Sequence, residues 1–248
     1  MKKLTWILVI ALAFVTTSCF DMLEDVRVNQ DGSGVYSLTF DMSSMMSDAF
    51  MGEMMKSSLK EQMGRETLEM DSLLSFDALL EGSEVSLTQA EQRLLEKAEM
   101  RMQMSESKSL AKIVTSFPFA SMDELNDFQE TFEKINASGD PTGMGGMFGG
   151  GITSSTRFAM NGRTLSRTVD PGNATDMLES IDEETMDMMK MFMEDATFVA
   201  TYYLPGKVSS SSIANSVVDG KTVTVSYKFL DILEKMPNTG GEIKFKKK

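Results

Sequence analysis

The chain contains no histidine among its 248 residues, and its one cysteine is Cys19. Without histidine there is no imidazole general base and no imidazole metal ligand. One cysteine permits neither a disulfide within the chain nor a cysteine zinc cluster. Proline is scarce at five, tryptophan occurs once, and aromatic residues make up 8%. Positive charge is also short: 24 Lys and Arg face 37 Asp and Glu, a net charge of −13. That balance argues against an electrostatic grip on nucleic acid. What remains, 42% hydrophobic and 25% charged, is the composition of a globular chain rather than a disordered one. The length suits one large domain or two small ones.

The N-terminus carries an address. Lys2 and Lys3 precede an apolar run of 12 residues, Leu4 to Val15, with Thr5 its one polar member; Thr16, Thr17, Ser18 and Cys19 follow. A basic flank, a short apolar core and small residues before a cleavage point describe a secretory signal peptide. The run is too short for a spanning helix, which needs ~20 apolar residues. The cysteine directly after the small residues resembles the lipobox of bacterial lipoproteins, with Thr16 standing where leucine is usual. The resemblance implies cleavage before Cys19 and lipidation of Cys19. Residues 1–18 are then signal peptide and the mature chain is Cys19 to Lys248. Loss of Lys2 and Lys3 leaves 22 basic against 37 acidic residues, a net charge of −15. Residues 19–25, with Asp21, Glu24 and Asp25, read as an acidic tether. The same residues resemble the surface-export signals of Bacteroidetes lipoproteins, and both readings stand.

Residues 26–248 read as one α+β domain: antiparallel β-hairpins with several amphipathic helices inserted. Val26–Val28 and Tyr36–Met42 alternate around the turn Asn29–Gly34. Met51, Met55, Leu59 and Met63 share a helical face within 43–63. Thr88-Gln-Ala-Glu91 and Ser121-Met-Asp-Glu124 fit capping boxes. A third, Ser180-Ile-Asp-Glu183, precedes a methionine-rich helix. Leu125, Phe128, Phe132 and Ile135 form one stripe after Ser121. Met100, Met102 and Met104 alternate with Arg101 and Gln103, which is strand spacing. They pair with Ala111–Phe117 as a hairpin, while 72–80 is ambiguous. Asn161-Gly162 and Asp219-Gly220 mark two further hairpins. Thr197–Leu204 reads as a strand, 229–236 as a helix and Glu242–Phe245 as a last strand. Residues 137–151 hold seven glycines and read as a flexible loop.

The hairpin Asp31-Gly32-Ser33-Gly34-x-Tyr36, the strand end Leu204-Pro205-Gly206-Lys207-Val208 and the turn Asp219-Gly220-Lys221-Thr222-Val223 are similar to motifs of LppM-like domains of bacterial envelope lipoproteins. They are also similar to a group of uncharacterised Bacteroidetes lipoproteins with a helical insert. The match covers about a third of the chain. It implies an envelope protein that binds lipid or glycolipid, and it brings no catalytic residues.

Several constellations have bland explanations. The 24 methionines include Met100, Met102, Met104 and the group Met186 to Met193, and soft thioethers suit Cu(I). Methionine also fills irregular cores and adaptable binding surfaces, and core packing is the favoured reading. Asn29-x-Asp31-x-Ser33-Gly34 starts like an EF-hand loop, but position twelve is Phe40 where a glutamate is required. Asp71-Ser72-Leu73 resembles a short O-glycosylation motif. No spacing of residues indicates catalysis.

The expectation is a non-enzymatic lipoprotein with no catalytic residue, metal site or cofactor. It is attached to the outer membrane through Cys19, facing the periplasm or the surface. It binds a lipid-like or apolar ligand, with Met144, Met147 and Phe148 of the glycine-rich loop as candidate contacts, or an envelope protein partner. The alternatives are a structural or assembly lipoprotein without a small ligand, and a methionine-based Cu(I) protein.

Overall fold

Alternation of buried and exposed side chains builds most of the molecule. The structure, a computed structural model, describes residues 20–49, 51–76, 85–138, 155–170, 190, 194–235 and 238–246. In β1 (Asp21–Val28), Met22, Glu24, Val26 and Val28 face inward. In β2 (Gly34–Asp41), Tyr36, Leu38 and Phe40 do the same. The two pair antiparallel, Val28 opposite Gly34. Their turn is held locally: the Asp31 carboxylate accepts from the Ser33 backbone N–H at 3.1 Å and from its hydroxyl at 2.7 Å. Gly32 supplies the positive φ of 87°. A hairpin turn thus explains the residues that mimic a calcium loop. Gly34 is needed for close approach: a Cβ there would lie 1.9 Å from the Arg27 carbonyl oxygen.

The remaining strands are β3 (Met70–Leu74), β4 (Glu99–Ser105), β5 (Leu110–Phe119), β6 (Ser155–Asn161), β7 (Thr164–Asp170), β8 (Thr197–Tyr203), β9 (Val208–Ser211), β10 (Ser216–Asp219), β11 (Thr222–Lys228) and β12 (Gly241–Phe245). The described helices are α1 (Ser43–Ser47), α2 (Met51–Met63), α3 (Gln89–Lys97), α4 (Met122–Ser138) and α5 (Phe229–Lys235). One sheet runs β10-β11-β8-β1-β2-β5-β4-β3 and a second β6-β7-β12-β9. A contiguous core of buried side chains joins them. The α+β class stands. The pairing is mixed rather than wholly antiparallel, because β1 and β8 run parallel. No hairpin signal reports a pairing between strands this far apart in sequence.

Helix starts follow their caps. Thr88 accepts from the Glu91 N–H while Glu91 reaches back to the Thr88 N–H, a complete capping box. Ser121 accepts from the Glu124 N–H at 3.2 Å, but Glu124 returns to the N–H of Ala120, one residue earlier than the box requires. The stripe of α4 packs inward as spaced: Leu125, Phe128 and Phe132 are buried, and Ile135 is partly so.

Four expectations are corrected. Residues 21–25, expected in the tether, are strand β1, and Glu24 in their midst is buried; pairing with β2 on one side and β8 on the other draws them in. The helix expected over 43–63 is two helices, because Asp48 is extended at φ −67° and ψ 140°. Gly52 allows α2 to fold back on α1, since a Cβ there would lie 2.6 Å from the Met46 carbonyl oxygen. In the β6–β7 hairpin Asn161 pairs with Thr164, so the two-residue turn is Gly162-Arg163, with Gly162 at φ 60°. The β10–β11 turn shifts likewise to Gly220-Lys221. The sequence also hid β9, which pairs with β12 rather than with a chain neighbour. The helix expected after Ser180 lies outside the described residues, as does the loop expected over 137–151 apart from residues 137 and 138, which are the end of α4 rather than loop. Among the described residues no helix is long and apolar enough to cross a membrane.

Candidate functional site

Helix α4 bridges the two sheets. On one side Phe128 stacks on Phe117 of β5, ring centroids 4.1 Å apart and planes within 4°, and meets Tyr36 of β2 edge-on. On the other side Asn126 clamps β6, which is the outer strand of its sheet. Its side chain donates to the Phe158 carbonyl at 2.9 Å and accepts from the Phe158 N–H at 2.7 Å. The backbone N–H and C=O of Phe158, which point away from β7 on this edge strand, are thereby satisfied.

Beneath α4 lies a cavity of about 90 Å³. The first sheet contributes Met22, Leu38 and Phe198, helix α4 contributes Phe128 and Phe132, and helix α5 contributes Phe229 and Ile232. These walls are apolar. One end is polar and draws on both sheets: Glu24 and Tyr36 from the first, Thr156 and Arg167 from the second, with Gln129 and Glu133 from α4 and Thr239 beyond α5.

Arg167 organises that end. Its side chain is 5% exposed, as is that of Glu24, whose carboxylate oxygen lies 3.7 Å from the Arg167 Nε. One terminal nitrogen, Nη1, donates to the Thr239 carbonyl at 2.9 Å and to its hydroxyl at 2.8 Å. The other, Nη2, reaches the Thr156 hydroxyl at 3.5 Å. The Phe198 ring lies 5.8 Å from the guanidinium carbon, within cation–π range. Tyr202 donates to Glu24 at 3.2 Å. Burial pushes the Tyr202 and Tyr36 hydroxyls up, and the Glu24 carboxylate adds to both, so both stay protonated at neutral pH. Burial pulls the Arg167 guanidinium down, but Glu24 and the tyrosines more than offset it.

Two atoms of this end have no hydrogen-bond partner, the Nε of Arg167 and the Oε1 of Gln129. Gln129 interacts through its side chain with the Tyr36 hydroxyl. Leaving a buried polar atom unpaired costs ~1–3 kcal/mol. Both residues line the cavity.

No family model and no curated protein matches the sequence. Among solved structures, the chain is similar to the NMR structure of the folded domain of Mycobacterium tuberculosis LppM, with 10% sequence identity and a TM-score of 0.43. The alignment covers 92% of this chain and 91% of that one. At this level the likeness is one of outline.

Cys19 and the candidate contacts Met144, Met147 and Phe148 lie outside the described residues, as does the group Met186 to Met193 apart from Lys190. Met100, Met102 and Met104 are 1%, 3% and 3% exposed on the inner face of β4, the burial of core side chains. Among the described residues no three Cys, Asp or Glu are grouped to hold a metal ion.

Sequence reasoning missed the cavity's polar end. A signal was present: Glu24 occupies the inward phase of Met22, Val26 and Val28, and Arg167 shares the inward phase of Leu165. A charge where alternation demands an apolar residue marks a buried ion pair or a site.

Proposed function

We propose that the protein is a non-enzymatic envelope lipoprotein, anchored through lipidated Cys19, that holds an apolar ligand in the cavity under α4. The observation that supports this reading is the cavity itself: apolar walls from the first sheet and two helices, with a few convergent polar groups from both sheets at one end. Binding sites for small apolar molecules have that composition. The volume supports a limit on size. An engineered cavity of ~150 Å³ accepts benzene, so about 90 Å³ takes a short group or the end of a longer chain. A net charge of −13 complements neither nucleic acid nor an anionic membrane face.

The test is native mass spectrometry of the full chain, extracted from its own membranes and released from nanodiscs. A co-purifying small amphiphile, lost when Phe132 and Phe198 are both replaced by Trp to fill the cavity, is the expected result. An empty chain, with no mass difference between the wild type and the filled variant, leaves the assembly reading in its place.

A further inference from the structure

The polar end of the cavity constrains the chemistry of what it binds, an inference that rests on the ligand-binding reading above. Arg167 is 6% exposed and Gln129 is 8% exposed. Arg167 Nε carries an N–H with no acceptor, and Gln129 Oε1 is an acceptor with no donor. Thr239 engages both N–H groups of Nη1 and Thr156 one of those on Nη2, so Nε is the guanidinium nitrogen left without a hydrogen bond. An occupant that satisfies both atoms must present an acceptor to one and a donor to the other. A carboxylate or phosphate ester dianion has no proton to donate to Gln129, and an ammonium has no lone pair for Arg167.

Charge gives the same answer. Glu24 already faces the guanidinium at 3.7 Å with both side chains 5% exposed. Glu133 also lines the cavity. An entering anion would meet a guanidinium that already faces Glu24, which leaves little positive charge to offset the cost of burying a second anion. An entering cation would be set against the N–H dipole that most needs a partner. We infer that the cavity selects an uncharged group that both accepts and donates a hydrogen bond, a hydroxyl or a primary amide, carried on a short apolar stem.

Met22 lines the cavity, so its methyl group reports occupancy. The experiment labels the methionine methyls with ¹³C in the full chain held in nanodiscs, and assigns Met22 with Met22→Leu. Five four-carbon probes are then titrated: 1-butanol, butyramide, butyrate, butylamine and 1-fluorobutane. Their shared short stem limits partition into the bilayer. Butanol and butyramide should move the Met22 signal at concentrations about tenfold below those of the two charged probes. They should hold a similar advantage over 1-fluorobutane, as two added hydrogen bonds would give. In Gln129→Leu the advantage over 1-fluorobutane should shrink to about threefold, the one hydrogen bond to Arg167 remaining, while 1-fluorobutane still binds. Strongest binding by butyrate or butylamine would overturn the inference in favour of a charged ligand. Equal binding of 1-fluorobutane and 1-butanol to the wild type would overturn it too, since the polar end would then want nothing from a ligand. If no probe moves Met22, the ligand-binding reading itself fails, a result distinct from either of these.

Discussion

Glu24 and Arg167 are the residues whose environment departs most from their type. Charged side chains at 5% exposure tolerate one another only as a pair. Removing one partner of a buried pair typically costs 3–5 kcal/mol, because the other charge is left uncompensated, whereas replacing both with apolar residues is often near neutral. Arg167→Leu is therefore expected to lower stability by ~3–5 kcal/mol, and Glu24→Leu with Arg167→Leu by less than half of that. Urea denaturation followed by circular dichroism checks this. Additive losses in the double variant would mean the two residues act independently. Glu91 offers a milder test at the surface. The Thr88 backbone N–H, then Lys134, holds its carboxyl down at about 2. A depressed acid stabilises the fold above its unfolded value of ~4.3 and loses that contribution as pH falls through the folded value. The stability gap between wild type and Glu91→Gln should be widest near neutrality and should close between about pH 4.3 and pH 2. A gap that stays constant to pH 2 would show that the charge on Glu91 contributes nothing.

At the scale of elements, two kinds of core packing meet. The β4 methionines are flexible and fill space without demanding one geometry. Triple substitution of Met100, Met102 and Met104 by Leu roughly conserves volume and should cost under ~1.5 kcal/mol per site. Phe128 is different, stacked on Phe117 at 4.1 Å and wholly buried. Phe128→Ala should cost ~3–5 kcal/mol, and it should also widen the cavity, since Phe128 is part of its wall. Thermal melts of the two variants compare them directly. A larger loss from the methionine triple than from Phe128→Ala would mean that thioether contacts of β4 carry a role that leucine cannot fill. Among the elements, hairpins and capped helices were legible beforehand because each depends on residues within a few positions. The break at Asp48 was not, because it follows from α2 docking on α1 across Gly52.

The whole molecule is organised about β1, which pairs antiparallel with β2 and parallel with β8. Phe20, directly before it, stacks on Phe40 and meets Phe229 edge-on. If Cys19 is the lipidated residue, the domain begins at the anchor itself with almost no tether, and the first sheet is held close to the membrane surface. Cys19→Ala should leave the protein unlipidated and release it from the membrane fraction, measured by sedimentation after a carbonate wash. Continued sedimentation of the variant would rule out lipid anchoring at Cys19.

Local chemistry determined much of this protein without help from the fold. The turns at Gly32, Gly162 and Gly220 need a backbone that accepts positive φ, the caps at Thr88 and Ser121 satisfy orphan N–H groups, and the period of two in 100–104 sets three methionines on one face. Each of these is settled by neighbours in the chain. Tertiary structure alone decided that β1 would lie beside β8, that the supposed tether would be a central strand, and that Glu24 and Arg167 would meet beneath α4. Alternation can show that a charge points inward, as it does at both positions. It cannot say which distant charge will be there to meet it, because that depends on how two sheets close over one helix.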